Sequence, residues 1–174
     1  MALAAFAICQ ANAQNDPKEV AFIKEATGLK RKIIYSDGVS SYAIRQIKEN
    51  LKADTLIPQI LILTKEDRAQ IAFCLEKMSN PIWVEGLFKR SKLIKRDTID
   101  AIFKDKARSW DYFYKTYGRY FDSFSKPIFL RDSTFCIFYR RYSGGDEGGS
   151  DDLSIYQKTK GKWKKVKKLY WSMS

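Results

Sequence analysis

The dominant spacing of apolar residues changes at Pro127, and this change constrains the fold more than any other feature. Before Pro127 apolar residues recur three and four positions apart, as at Ile71, Cys74, Leu75 and Met78, which is the period of an amphipathic helix. After Pro127 they alternate with polar residues, which is the period of a half-buried strand. Helices with one or two short early strands, followed by a run of strands, indicate an α+β fold, and the short connections between the later strands indicate a C-terminal antiparallel meander.

Local start and stop signals predict individual elements on both sides of this change. Helices are predicted to start at Asp16-Pro17, Ser41, Thr64, Asp97 and Ser109, and Gly28, Asn80-Pro81 and Gly118 each end one of them. Strands are predicted at Lys32–Tyr35, Gln59–Leu63, Ile128–Leu130, Thr134–Tyr142, Leu153–Lys158 and Lys162–Leu169.

Residues 1–13 have the features of a secretory signal peptide. Ala2–Ile8 is apolar, and Ala11-Asn12-Ala13 carries the small residues that signal peptidase reads, so cleavage is predicted after Ala13. No basic residue precedes the apolar stretch, which is typical of a truncated start, and a helical tail is the alternative. We expect an exported protein whose mature part, 14–174, is a single α+β domain without a transmembrane segment.

Two cysteines, Cys74 and Cys136, remain after this cleavage. An exported location permits a disulfide between them, which would join a predicted helix to a predicted strand. Both cysteines have apolar neighbours, so two inert buried thiols are the alternative. The sequence leaves both possibilities open because it does not give the Cα separation that a disulfide needs.

The chain contains no histidine, which excludes several classes of site. Imidazole general bases, Ser-His-Asp and Cys-His nucleophiles and histidine-containing zinc sites are all impossible. The sequence also lacks a phosphate-binding Walker loop and a dinucleotide-binding fingerprint, and no cofactor is predicted. A hydrolase that works with carboxylates alone remains an alternative, because acids distant in sequence can meet in one cleft.

Residues 158–174 hold seven lysines and no acidic residue, in a chain whose net charge is +12. Interleaved aromatic residues are typical of a surface for nucleic acid or another polyanion, where lysines meet phosphates and rings stack on bases. The alternative is an edge strand whose lysines prevent aggregation between sheets while its rings face the core. The candidate binding residues are Lys162, Trp163, Lys164, Lys165, Lys167, Lys168, Tyr170 and Trp171.

The segment Ser143–Asp152 combines four glycines with four acidic residues. Such loops can bind Ca²⁺, but the EF-hand spacing is missing, so a solvated hairpin tip is favoured and no metal is predicted. These acids are also candidates for ion pairs with the basic C-terminal strand. The weak candidate metal ligands are Asp146, Glu147, Asp151 and Asp152.

A second basic cluster lies between the helices that start at Thr64 and Asp97. It is interpreted as a solvated connection, and it extends the C-terminal basic surface only if the fold brings the two together. Its residues are Lys89, Arg90, Lys92, Lys95 and Arg96.

Several short motifs in the second half of the chain, between Trp83 and Ser174, resemble a group of small exported proteins of the Bacteroidetes type of Gram-negative bacteria. The motifs are Leu87-Phe88, Ser91-Lys92-Leu93-Ile94, Trp110-Asp111-Tyr112-Phe113, Ser125-Lys126-Pro127-Ile128-Phe129 and Gly161-Lys162-Trp163. The resemblance implies an envelope or secreted location and a C-terminal antiparallel sheet, and it implies no activity. Members of the group have Cys-Gly motifs between the last strands, where this chain has the glycine- and acid-rich segment Ser143–Gly149.

These features favour a non-catalytic exported module that binds a macromolecule, either a protein or an anionic glycan, through the sheet and its basic flank. Polyanion or nucleic-acid binding through the last strand is one alternative, and a carboxylate-based hydrolase is the other. Nucleic acid is not the expected partner, because an exported protein meets little of it. Exposed Trp163, Tyr170 and Trp171 would support polyanion binding. If these three rings are buried, that hypothesis fails, because a buried ring cannot stack on a ligand.

Overall fold

The computed structural model describes residues 15–29, 33–52, 61–79, 82–105, 109–145 and 148–173. These residues form five helices and a seven-stranded mixed sheet, which confirms the predicted α+β class. The helices are α1 (Pro17–Thr27), α2 (Ser41–Lys52), α3 (Lys65–Lys77), α4 (Arg96–Lys104) and α5 (Ser109–Thr116). The strands are β1 (Ile34–Ser36), β2 (Lys92–Ile94), β3 (Phe121–Phe124), β4 (Ile128–Leu130), β5 (Phe135–Ser143), β6 (Gly149–Thr159) and β7 (Lys162–Met173).

The strand order of the sheet is β2-β1-β3-β5-β6-β7, with β4 also paired to β5. The predicted meander is confirmed, because β4, β5 and β6 each pair antiparallel with the next strand in sequence. β1 is parallel to both β2 and β3. Parallel pairing follows from the connections, since α2 and α3 separate β1 from β2, and α4 and α5 separate β2 from β3.

β3 and β4 lie end to end along the same side of β5. β3 pairs with Arg140–Ser143 and β4 with Phe135–Ile137, and the register steps by one residue between them, as in a β-bulge. Ser125 spans this step: its backbone N–H donates to the carbonyl of Tyr139 at 3.0 Å, and its hydroxyl accepts from the Tyr139 N–H at 3.0 Å. The Ser125 side chain therefore replaces the backbone hydrogen bond that is missing between β5 and the β3–β4 junction.

Side chains of β5 alternate between the two faces of the sheet, and each face has its own core. Phe135, Ile137 and Tyr139 belong to the core on the front face, which is packed under α2 and α3. Cys136 and Phe138 belong to the core on the back face, which includes residues of α1 and of segment 82–88. A third cluster contains residues of α4, α5 and β3, and it lies on the front face beside the first: Ile94, Ile99, Ile102, Phe113 and Phe121.

α1 and α3 begin as their sequence signals predict. The Asp16 side chain accepts from the Lys18 N–H at 2.7 Å, and Gly28 ends α1 with a left-handed φ of 65°. Thr64 and Asp67 form a reciprocal capping box at the start of α3. The predicted apolar stripe of α3 is buried in the front core: Ile71, Cys74, Leu75 and Met78.

Three predicted helix starts are displaced. α2 is capped by Ser40, whose hydroxyl accepts from the Ala43 N–H at 3.2 Å, rather than by Ser41. Ser109 is the first residue of α5 rather than its cap. Asp97 lies inside the first turn of α4, because that helix is capped from another segment: the Asp37 carboxylate accepts from the Arg96 N–H at 2.8 Å.

The strand predicted at Gln59–Leu63 is wrong for its described part. Gln59 and Ile60 lie outside the described residues, and 61–63 are irregular. Leu61 and Leu63 are buried in the front core, whereas Ile62 is 73% exposed. The apolar run therefore reflects a loop that inserts alternate residues into the core. Lys32, in the strand predicted at Lys32–Tyr35, and Asn80-Pro81, the predicted stop of α3, also lie outside the described residues.

Two short strands, β2 and β3, have no counterpart among the predicted elements. β2 is only three residues long and lies within the second basic cluster, so this segment is not simply a solvated connection. β3 is buried on both sides, so it lacks the alternation that identifies a half-buried strand. Its one acidic residue, Asp122, is 1% exposed and accepts from the Arg140 guanidinium at 2.7 Å.

A buried ion pair fixes α1 to the junction between β3 and β4. The Lys126 ammonium lies 2.5 Å from the Glu19 carboxylate, and both side chains are only 11% exposed. The same ammonium lies 4.2 Å from the centroid of the Trp83 ring, whose N–H donates to the carbonyl of Phe124. Burial raises the pKa of Glu19, and the hydrogen bond and charge of Lys126 oppose that rise.

Replacing Ser125 with alanine should destabilise the sheet, because it leaves the buried Tyr139 N–H without an acceptor. An unsatisfied buried donor costs about 1–3 kcal/mol, so the free energy of unfolding should fall by that amount in a urea titration. Ser79→Ala, at an exposed serine after α3, is the matched control and should change it by less than about 0.5 kcal/mol. Equal effects would contradict the role assigned to Ser125.

Replacing Lys126 with methionine should make stability depend on pH through Glu19. Breaking a buried pair costs about 3–5 kcal/mol at pH 7. Because burial already raises the pKa of Glu19 in the folded state, that state takes up a proton before the unfolded state as the pH falls. Unfolding free energy should therefore be partly recovered between pH 7 and pH 5. The double variant Glu19→Gln/Lys126→Met should lack this recovery, and its presence there would contradict the assignment.

Candidate functional site

β7 is the terminal strand of the sheet, and its sequence repeats every three residues instead of every two. Lys164-Lys165-Val166-Lys167-Lys168-Leu169 places one apolar residue after each lysine pair. A regular strand alternates every two residues, so this repeat fits only if the strand gains one residue in each repeat. Two register shifts against β6 supply the extra residues, which are Val166 and Leu169. Both extra residues pack on the front core.

Alternation along the strand places one lysine of each pair on each face of the sheet, and the two shifts keep the first lysine of both pairs on the same face. Lys164 and Lys167 stand opposite Gln157 and Ile155, which are front-face positions. Lys165 and Lys168 stand opposite Tyr156 and Ser154, which are back-face positions. Ammonium groups therefore project on both sides of the terminal strand.

Most of these lysines are not neutralised by the protein. Lys165 pairs with Asp152 at 2.5 Å, as expected if acids of the preceding segment meet the basic strand. The other four, which we call the lysine edge, have no acidic partner in the described part of the chain: Lys162, Lys164, Lys167 and Lys168. The Lys168 ammonium lies 5.0 Å from the centroid of Trp171, which is 51% exposed.

The three aromatic residues predicted to bind a ligand are placed differently. Trp163 is half-buried and packs edge-on against Phe22, with ring centroids 5.1 Å apart. Tyr170 packs against the front core, and its hydroxyl lies 3.4 Å from that of Tyr42. Trp171 is therefore the one of the three rings that offers a largely open surface.

Cys74 and Cys136 are both buried thiols, and the bridge considered for them is not formed. Cys74 belongs to the front core and Cys136 to the back core, so the sheet lies between them. Burial raises the pKa of the Cys136 thiol well above its ordinary value. This supports the alternative of inert thiols.

The acidic candidates for a metal site do not converge. Asp146 and Glu147 lie outside the described residues, and Asp151 and Asp152 are neighbours in β6, so their side chains point to opposite faces. Asp151 accepts the hydroxyls of Tyr139 and Ser172, and Asp152 accepts those of Ser154 and the ammonium of Lys165. No three potential metal ligands cluster within the described ranges.

The second basic cluster does not extend the lysine edge. It contains β2, which is the terminal strand at the other side of the sheet from β7. Lys92, in β2, places its ammonium 4.6 Å from the centroid of the Tyr117 ring. The two basic regions are therefore separate surfaces.

Burial raises the pKa of two carboxyl groups, those of Glu19 and Asp122. Each is bonded to its own cation, Lys126 for Glu19 and Arg140 for Asp122. Neither lines the cavities that the described residues form around Arg141, around Asp37 and around Arg140. They do not form the paired acid and base that a carboxylate-based hydrolase needs.

Sequence reasoning missed a cavity of about 340 Å³ on the front face. It lies between the core under α2 and α3 and the cluster under α4 and α5, where polar residues cross the sheet. Ser123 stands opposite Arg141, Arg141 opposite Asp151, and Asp151 opposite Ser172. β3, β5, β6 and β7 each contribute one residue to this row of polar side chains. The row is therefore recognisable only once the register between the strands is known. The sequence signal is a polar residue at a front-face position of each strand.

Comparison with protein-family models, with curated proteins and with solved structures found no match to this chain. Within the part of the chain that the structure describes, none of the helices has both the length and the apolar character needed to cross a bilayer.

Proposed function

We propose that this chain is an exported, non-catalytic binding module that holds an anionic polymer, of the acidic-glycan class, along the lysine edge. The observation that carries the proposal is the row of ammonium groups on the terminal strand that no described acid neutralises. The exported location rests on the signal-like residues 1–13, which lie outside the described residues, and on the resemblance to small exported proteins.

The lysine edge suits an extended anion because its charges follow a strand. A strand rises about 3.3 Å per residue, so Lys162 and Lys168 are roughly 20 Å apart at most. Charges spaced along such a line attract a polyanion and release its counterions, which makes binding strong at low salt. Trp171, beside Lys168, adds an apolar ring surface at one end of the row.

An acidic glycan fits this edge better than a nucleic acid does. Single-stranded nucleic acid is held by successive bases that stack on successive rings. Trp163 and Tyr170 are already packed against other side chains, so they cannot supply that series. One exposed ring beside a row of cations is sufficient for a charged sugar chain.

An acidic protein partner is the other macromolecule considered for this surface. Such a partner would gain most by adding a strand to the open side of β7. The two bulges of β7 interrupt its hydrogen-bond ladder, and lysines on both of its faces oppose strand addition. A ligand recognised through side-chain charge is therefore favoured over one recognised through the backbone.

Heparin affinity tests the proposal with two variants of equal net charge. In Lys162→Gln/Lys164→Gln/Lys168→Gln three exposed lysines of β7 are neutralised, and in Lys89→Gln/Lys95→Gln/Lys104→Gln three exposed lysines elsewhere are neutralised. The first should elute from heparin at clearly lower salt, and its slope of log Kd against log salt should be smaller by about 2, because each neutralised lysine removes roughly 0.7 from that slope. The second should elute near the wild type. If both variants elute early at the same salt concentration, net charge alone explains heparin binding. If the β7 variant elutes like the wild type, the lysine edge does not bind heparin and the proposal fails.

Trp171→Ala distinguishes a glycan from a simple polyanion. It should weaken binding of a heparin oligosaccharide about two- to tenfold, the range that about 0.5–1.5 kcal/mol for one ring contact implies. Binding of poly-glutamate, which has no ring to stack, should be unchanged. Similar reductions for both ligands would favour an acidic protein as the partner instead of a glycan.

A further inference from the structure

The front-face cavity contains polar groups that the protein does not fully satisfy. Ser123 is 7% exposed and lines the cavity, yet its hydroxyl makes no hydrogen bond within the described residues. Within the described residues no buried side-chain polar atom lacks a hydrogen-bond partner, so the Ser123 hydroxyl is accessible from the cavity. A polar group of a ligand in the cavity would supply the partner that Ser123 lacks.

Two guanidinium groups line the same cavity. Arg141 donates from Nε to the Ser143 hydroxyl at 3.2 Å, and its terminal nitrogen is 4.0 Å from the Asp151 carboxylate. That carboxylate already accepts the hydroxyls of Tyr139 and Ser172, so Arg141 is only weakly paired. Arg96 donates to the carbonyl of Val39 at 2.8 Å and keeps further donors.

Aromatic rings also line the cavity. Phe103, Trp110 and Phe121 contribute rings, and the centroids of Phe103 and Trp110 are 4.6 Å apart. The one acidic residue in the lining is Asp100, which is exposed, so the lining carries an excess of one positive charge. A cavity lined by two guanidinium groups and three aromatic rings favours a ligand that combines an anionic group with an apolar body.

We propose that this cavity binds a small organic monoanion, a carboxylate carried on a flat apolar body. The carboxylate meets Arg141, Arg96 and the Ser123 hydroxyl, since a guanidinium fork matches its two oxygens. The apolar body lies against Phe103 and Trp110. This site is distinct from the lysine edge, because it lies between helices and sheet and contains none of the lysines of β7.

Three probe compounds test the proposal on the wild-type chain by NMR titration. 3-Phenylpropanoate has both ends of the expected ligand, 3-phenylpropanamide lacks the charge, and propanoate lacks the ring. The phenylpropanoate Kd should be at least tenfold lower than that of either other compound. Absence of saturable binding, or equal binding of acid and amide, would overturn the proposal.

Variants place the probe in the cavity. Arg141→Gln should raise the Kd for 3-phenylpropanoate at least tenfold, Arg141→Lys should have a smaller effect, and Ser123→Ala should raise it several-fold. Arg45→Gln, on the exposed side of α2, is the matched control and should leave the Kd unchanged. Lys162→Gln/Lys164→Gln/Lys168→Gln should also leave it unchanged, and weaker binding there would assign the probe to the lysine edge. If Arg141→Gln fails to fold, the proposal is tested by comparing the Kd of 3-phenylpropanoate with that of 3-phenylpropanamide for the wild-type chain.

Discussion

The two-sided hydrogen-bond ladder of β5 is the interaction on which the rest of this structure depends. β5 pairs with β3 and β4 on one side and with β6 along its whole length on the other. Its side chains supply both cores, since alternate residues enter the front and the back face. The Ser125 side chain keeps the ladder continuous where β3 gives way to β4. Both candidate binding regions take their positions from this strand: Arg141 lies within it, and β6 carries β7 at the edge.

β7 shows how an edge strand can present charge without exposing a regular ladder. Its three-residue repeat is incompatible with simple alternation, and the two bulges resolve the conflict by turning Val166 and Leu169 into the front core. Consecutive lysines project from opposite faces of β7, and the bulges disrupt the template for strand addition. This local geometry disfavours aggregation through the edge, and it is also the basis of the binding surface proposed for β7.

The sequence predicts those elements whose signals are local. Asp16, Gly28 and Thr64 cap helices as expected, and the period after Pro127 gives the meander, because each pattern depends on neighbouring residues only. Prediction from the sequence fails where a distant segment determines the local structure. Asp37 caps α4 from another part of the chain, and β3 is recognisable as a strand only from its pairing with β5. Among the candidate binding residues, most lysines of β7 remain open, whereas Trp163 and Tyr170 are packed against other side chains. The cavity could not be predicted from the sequence, because Ser123 and Arg141 become neighbours only through the pairing of β3 with β5.

The lysine edge is tested most directly by mapping a bound heparin hexasaccharide onto the chain by amide chemical shifts of the ¹⁵N-labelled protein. The largest changes should fall on Lys162–Trp171, on both faces of β7 and at Trp171, and should disappear as salt is raised. The second basic cluster, at the other side of the sheet, should be nearly unaffected. Changes centred on Lys89–Lys95, or spread evenly over all exposed lysines, would contradict a binding edge at β7.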